Sequence, residues 1–415
     1  MLGWQYQGAQ VSHRHEVILF ALEDRFGLAR IPSMLYRTGC RVSVLGNPSA
    51  PVGASRFIER MIPCPINPAS AAKALCELVE TYRGHRPWII FADELALQAG
   101  ILCREQSWLK DAFPVDPWQG ADMIFRKAAF MTAAEAAGIP IPPMRVCRSR
   151  AEALAAAQQL ELPLFFKRDV DCAGAGVVQV LGAADVGPAY DKLSDTGPVV
   201  VQQAVRGRVG KTNTLYSRGR LMCHTSAYAK RTWPGPFGPS CIREYFCDVR
   251  LETIAESIGA TTRFHGLCGF DWVQDEKTGE FVVIEFNGRA IATYHLGKHV
   301  AVSYERAVGD FLAGRFTVQR PRLITRDRPV IHMFPQDVRR CLTDRDLIGL
   351  GKWLVGAVTT DMPWNDANLI LFFFFGFARL GYKRVRRFIR RRRGAAIPQS
   401  LQDPATRASS THAMV

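Results

Sequence analysis

The sequence predicts an α/β (α+β) protein: a helix-covered parallel sheet at the N-terminal end, a strand-rich region behind it, and a basic helical tail. Three observations carry this. Short apolar runs alternate with helix-like stretches through residue 117. β-rich runs dominate from residue 164 to 317. Hydrophobic residues make up 48% and charged residues 22%, which gives 415 residues enough apolar surface for two or three folded domains.

Val17-Ile18-Leu19-Phe20 reads as a buried strand, and a helix over 27–38 stops at Gly39. Residues 41–45 form a second strand running into Gly46-Asn47-Pro48. A helix over 68–83 leads to the strand Trp88-Ile89-Ile90-Phe91, which ends at Asp93-Glu94. Such alternation with short turns makes a parallel sheet, placed here at residues 1–117. After the break at Asp116-Pro117, one helix is expected over 120–137, closed by Gly138 and the prolines that follow. A helix over 150–160 precedes a strand over 164–167; further β-runs cover 199–202 and 281–285. Residues 118–320 form the second expected domain. A helix over 344–358 lies in a C-terminal extension, 321–393, and the Ala-, Ser-, Thr- and Pro-rich residues 394–415 are expected to be disordered.

The densest chemistry lies in Ile284-Glu285-Phe286-Asn287-Gly288-Arg289. On a strand Glu285, Asn287 and Arg289 share a face. Asp271 lies on a second strand fourteen residues earlier, and a hairpin through 275–279 brings it back beside Glu285. Two carboxylates and an amide oxygen suit a hard divalent cation shared with phosphates, and Arg289 suits developing phosphoryl charge. Upstream, Lys167 ends a strand and a loop from Asp169 through Gly174 to Gly176 follows. Glycines let backbone N–H groups approach an anion while the lysine supplies a point charge. No G-K-[ST] follows, so this is not a Walker A loop. Lys127 sits on the helix before the proline stop, and Gln202-Gln203-Ala204-Val205 leaves a strand where backbone could read an adenine edge.

In this order the elements resemble the ATP-grasp superfamily over residues 119–300: a helix lysine before Gly138-Ile139-Pro140-Ile141-Pro142, a strand lysine with a glycine loop, a linker strand ending at Gly207, and an acid-bearing strand paired with E-x-N-x-R. The first domain resembles the Rossmann-like domain that precedes the grasp. The resemblance implies that Lys127, Lys167 and the loop 169–176 hold ATP phosphates, and that Gln202, Gln203, Ala204 and Val205 border the adenine. It further implies that Asp271, Glu285 and Asn287 hold two Mg²⁺ ions (Mn²⁺ being the alternative), and that Arg289 and Lys167 serve the chemistry. The implied reaction is ATP-dependent ligation of a small-molecule carboxylate to an amine, or less readily a thiol. The linker departs from the pattern: Gln203 stands where an acid is frequent, and no acid follows Gly207. A nucleotide-binding regulator or assembly factor and a phosphotransferase on the same fold are the alternatives.

The net charge of +15 is concentrated at one end, since nine Lys or Arg and no acid lie between Arg379 and Arg393. With the apolar run from Leu369 before it, this stretch reads as a solvated run, an attachment to an anionic membrane surface, or a phosphate contact for nucleic acid. No reading module accompanies the charge, which disfavours nucleic acid. The apolar run is half the length of a transmembrane helix. No secretory leader pattern or paired-cysteine spacing is visible, so a cytoplasmic protein is expected, with peripheral attachment at the inner membrane face as one of the open readings of the tail.

Overall fold

The computed structural model describes residues 15–82, 86–170, 176–235, 238–356 and 361–376. Residues up to Ile370 belong to one compact unit. Its first layer is a parallel sheet of β1 (Glu16–Ala21), β2 (Arg41–Gly46), β3 (Arg60–Pro63) and β4 (Trp88–Phe91), in the order β3-β2-β1-β4. β1 is central and apolar throughout, with Val17 to Ala21 fully buried, as a strand covered on both faces must be. Burying each of the larger side chains contributes roughly 1.5–3 kcal/mol of transfer free energy.

Helices α1 (Ile31–Arg37), α2 (Pro68–Glu80) and α3 (Glu94–Leu102) accompany this sheet. The helix expected over 27–38 begins as a 3₁₀ turn, Phe26–Arg30, and becomes α-helical at Ile31. Asn67 caps α2 by accepting from Ala69 and Ser70 N–H, with Pro68 at its first position. After the short α4 (Leu109–Ala112), the single helix expected over 120–137 is two: α5 (Ala121–Phe125) and α6 (Lys127–Ala136). Arg126 between them is extended, at φ −101° and ψ 118°. Gly138, at φ +69°, closes α6 as its N–H bonds Glu135 O and that of Ile139 bonds Ala134 O.

A second, antiparallel sheet follows from β5 (Met144–Cys147), α7 (Arg150–Gln159), β6 (Leu164–Arg168), β7 (Val177–Val180), α8 (Val186–Leu193) and β8 (Val199–Gln203), with strand order β5-β8-β6-β7. The third sheet has six antiparallel strands. It uses β9 (Gly207–Ser217), β10 (Arg220–Thr232), β11 (Ser240–Phe246), β12 (Gly266–Asp275) and β13 (Phe281–Asn287), with α9 (Val249–Thr262) inserted, and β14 (Val330–His332) after α10 (Tyr304–Leu312). Their order is β13-β12-β9-β10-β11-β14. One face packs Tyr228, Phe246, Trp272 and Phe281 ring against ring.

The extension holds α11 (Gln336–Thr343) and α12 (Leu347–Leu354), so the helix expected over 344–358 is shorter and a polar helix precedes it. Residues 367–376 are helical; the basic stretch 379–393 and residues 394–415 lie outside the described residues. No described helix is long and apolar enough to cross a membrane.

Candidate active site

The parallel sheet contributes from the end of β4. Asp93 is fully buried and accepts from the N–H groups of Leu22 at 2.7 Å, Glu23 at 3.0 Å and Ala96 at 2.9 Å, which ties the end of β1 to the start of α3. Burial pushes its carboxyl above the ordinary range despite these donors. The cap fixes Glu94 in the first turn of α3, where it meets Arg289 at 2.6 Å and Arg25 at 3.1 Å. Burial would raise the Glu94 carboxyl, but the two guanidiniums hold it below its usual value. Arg289 keeps its charge for the same reason: burial opposes it, while Glu94 and then Glu285 favour it.

Lys127 owes its position to Asp169. The Asp169 carbonyl accepts from Lys127 N–H at 3.0 Å, and its carboxylate accepts from Ala128 N–H at 2.9 Å and from Arg126 at 3.0 Å. A carboxylate from a different element therefore supplies the cap that α6 lacks in its own sequence, and this breaks the expected continuous helix at Arg126. Lys127 becomes the first residue of α6 and reaches Glu285 at 3.4 Å.

Lys167, near the end of β6, is almost fully buried and donates to Gln202 Oε1 at 2.6 Å and to the Ile284 carbonyl at 3.1 Å. Burial lowers its pKa to about 8; Glu285 works against the shift and Lys127 with it. The buried Nε2 of Gln202 has no acceptor among the described residues.

The third sheet supplies the acids. β12 and β13 pair with Asp271 directly opposite Glu285. The turn between them is set by Asp275 Oδ1, which accepts from Lys277 and Thr278 N–H, and by Gly279 at φ +72°. Asn287 donates to Asp271 Oδ1 at 3.2 Å and accepts from Arg289 at 3.2 Å. Lys211, opposite Asp271 on β9, holds Asp271 Oδ2 at 2.6 Å.

Lys127, Lys167, Gln202, Glu285, Asn287 and Arg289 thus line one cleft, together with Glu94 and Arg126. Its other wall, with Met123, Phe130, Met131 and Val200, is apolar and suits a planar base. Not every expected residue converges there. The Asp169 carboxylate is committed to Arg126 and the start of α6. Gln203 exchanges hydrogen bonds with Glu161, its N–H is spent on Pro143 O, and Ala204 N–H is spent on Pro163 O. Neither they nor Val205 line the cleft. Gly176 accepts from Arg168 N–H at 2.8 Å, closing the loop end, while Gly174 lies outside the described residues. Asp271 stands behind the cleft, with both oxygens engaged. Glu94, Arg25, Arg126 and Lys211 were not singled out from sequence; cross-strand pairing to Asp271 is the signal that finds Lys211.

Among the described residues no three His, Cys, Asp or Glu side chains are grouped to hold a metal. Asp271 and Glu285 with the Asn287 amide oxygen do form an all-oxygen donor set, which fits Mg²⁺. Each of these groups is now balanced by Lys211, Lys127 or Arg289.

A lysine at the start of a helix and another on one antiparallel sheet, facing carboxylates on a second such sheet behind a parallel one, are the arrangement of an ATP-grasp fold, and solved structures of that architecture superpose on the chain. N5-carboxyaminoimidazole ribonucleotide synthetase in its ADP complex matches at TM-score 0.60 with 14% identity, covering 80% of this chain and 85% of that one. L-amino acid ligase from Bacillus licheniformis matches at TM-score 0.54 with 15% identity, covering 72% and 74%. The biotin carboxylase domain of 2-oxoglutarate carboxylase from Hydrogenobacter thermophilus, solved with MgADP, ADP and bicarbonate, matches at TM-score 0.60 with 14% identity, covering 75% and 73%. These likenesses are of fold. In sequence, the chain is 29% identical over 210 residues to phosphoribosylamine–glycine ligase from Phenylobacterium zucineum (strain HLK1), across 46% of this chain. The chain spans about half the length of that curated relative, 48%. No family model matches.

Proposed function

We propose that this protein is an ATP-dependent ligase that activates a small-molecule carboxylate as an acyl phosphate for attack by an amine. The carrying observation is the convergence of Lys127, Lys167, Glu285, Asn287 and Arg289 on one cleft with an apolar flank. The names of the relatives, and the ADP bound in two of their structures, support it.

In the reaction, a carboxylate oxygen attacks the γ-phosphorus of ATP, the bond to the β–γ bridging oxygen breaks, and ADP leaves. The amine nitrogen then attacks the acyl carbon, the C–O bond to phosphate breaks, and phosphate departs as the nitrogen loses a proton to solvent. No enzyme nucleophile is needed. Lys127 and Lys167 would exchange Glu285 and Gln202 for phosphate oxygens, and Arg289 would meet charge on the transferring phosphoryl group or the substrate carboxylate. Glu285 and Asn287, with Asp271 once Lys211 releases it, would hold two Mg²⁺ ions, Mn²⁺ being the alternative. Such ions would neutralise charge on the β- and γ-phosphates.

The test is ADP release by the purified chain with panels of acids and amines. Release is expected to depend on both, and Glu285→Gln is expected to slow it about 10³-fold. Unchanged turnover and nucleotide affinity in that variant would remove the assigned metal site. The engagement of Gln203 and Ala204 elsewhere favours, as a second reading, a protein that binds ATP without turning it over. Tight binding with no ADP across all panels is its signature.

Location at the inner membrane face belongs to the same proposal. The tail carries nine basic residues, and Leu347, Ile348 and Leu354 of α12 are 75–80% exposed. The full chain is expected to float with phosphatidylglycerol vesicles and to stop floating when those nine residues become Gln. Failure of the full chain to float would place the protein away from lipid, and equal flotation of both would take the nine basic residues out of the contact.

A further inference from the structure

Beyond the cleft, the six-stranded sheet buries one more cation. Arg243 on β11 is 9% exposed. Its guanidinium donates from Nη1 to the Thr293 hydroxyl at 3.0 Å, and its buried Nε has no acceptor in full bonding geometry among the described residues. The neighbouring Tyr245 hydroxyl is likewise buried, with the Arg243 guanidinium and the Thr293 hydroxyl as its polar neighbours. Burial pushes that phenol up to about 12, against the pull of Arg243.

Sheet register puts this group on the face that carries the site. Tyr245 pairs with Ala227, Ala227 with Lys211, and Lys211 with Asp271. Arg243 pairs with Ala229, in step with Tyr245 along the strand. Two alanines therefore floor a bay between β9 and β11, and a long side chain on β11 can reach across it. Arg243 does so: its partner Thr293 also bonds Asn213 of β9 at 3.0 Å, and Thr293 lies four residues beyond Arg289. The guanidinium thus stands over β10, roughly two strand spacings, about 10 Å, from the strand of Asp271.

A buried guanidinium with no anion is costly, because desolvation is uncompensated. No described carboxylate pairs with Arg243. Asp361, whose charge reaches Tyr245, is held by His295 at 2.5 Å and Arg30 at 3.1 Å. A guanidinium fork beside two hydroxyls is chemically suited to a carboxylate.

We propose that Arg243, with Thr293 and Tyr245, binds a substrate carboxylate other than the one phosphorylated. The inference rests on the ligase reading and names its substrate class: at least one substrate carries a second, non-reacting carboxylate. That group belongs either to an amino acid serving as the amine or to a dicarboxylic acid being activated.

The experiment is calorimetric titration of the full-length protein with glycine, L-alanine, L-glutamate and succinate, with and without Mg²⁺ and a non-hydrolysable ATP analogue. The wild type is expected to bind one of these probes, and Arg243→Met to weaken that binding at least tenfold while analogue affinity changes less than twofold. Binding of amino acids without succinate assigns the carboxylate to the amine substrate; binding of succinate assigns it to the acid. Without probe, Arg243→Met is expected to raise the melting temperature, since it removes an unpaired buried charge; a purely structural arginine would lower it. Thr293→Val, expected to weaken the same probe about threefold, serves if Arg243→Met does not fold. Probe binding equal in wild type and variants, or no probe binding to the wild type, overturns the proposal. Loss of analogue binding by the wild type would instead overturn the ligase reading.

Discussion

The charges around Lys167 and those around Asp337 are buried to a similar depth, yet they are satisfied in different ways. Asp337, fully buried on α11, receives Arg340 at 2.6 Å, Trp353 at 3.0 Å and His332 at 2.6 Å. Burial would raise its carboxyl, but these three donors hold it at about 2. All the partners lie between residues 332 and 353, and Arg340 also reaches Asp346 at 2.8 Å. The cluster around Lys167 draws instead on α6, β6, β8 and β13, leaves Gln202 Nε2 without a partner among the described residues, and keeps a lysine shifted down to about 8. Local saturation marks a structural cluster. Convergence from distant elements on a cleft, with groups left short of partners, marks one arranged for a ligand.

Breaking each cluster should sharpen that contrast. Asp337→Asn is expected to cost the largest amount, about 3 kcal/mol of unfolding free energy in a denaturant titration, because buried Arg340 is left with Asp346 as its one paired charge among the described residues. Turnover per folded molecule should stay within twofold; a turnover defect would erase the distinction. For Lys167, the charged form binds phosphate, so ATP affinity should be full below pH 7 and fall about tenfold between pH 7 and 9 as the lysine deprotonates through about 8. Lys167→Arg keeps its charge and should flatten that profile in a nucleotide titration. The smallest effect is expected for Asp169→Asn, which weakens the cap of α6: about 1 kcal/mol of stability, with the KM for ATP rising about fivefold as Lys127 loses its place.

The strands were legible because their apolar runs are short and bounded by turns, and the hairpin spacer placed Asp271 beside Glu285 correctly. The break at Arg126 was not, because the group that caps α6 lies more than forty residues further along the chain. Helix α11 was missed because Gln336-Asp337-Val338-Arg339-Arg340 has no apolar period, its buried face being an ion cluster. At Gln203 and Ala204, a strand end was correctly read, but sequence could not show that their groups were already spent on Glu161, Pro143 and Pro163. Arg243 gave no signal at all: a lone arginine on a strand is ordinarily solvated.

The most direct test is a crystal structure of the protein with Mg²⁺ and a non-hydrolysable ATP analogue. The account predicts the base against Phe130 and Met131, phosphate oxygens within 3.2 Å (about hydrogen-bond distance) of Lys127 and Lys167, and Mg²⁺ on Glu285 and Asn287. A nucleotide bound elsewhere, or in this cleft with both lysines still on Glu285 and Gln202, would contradict it.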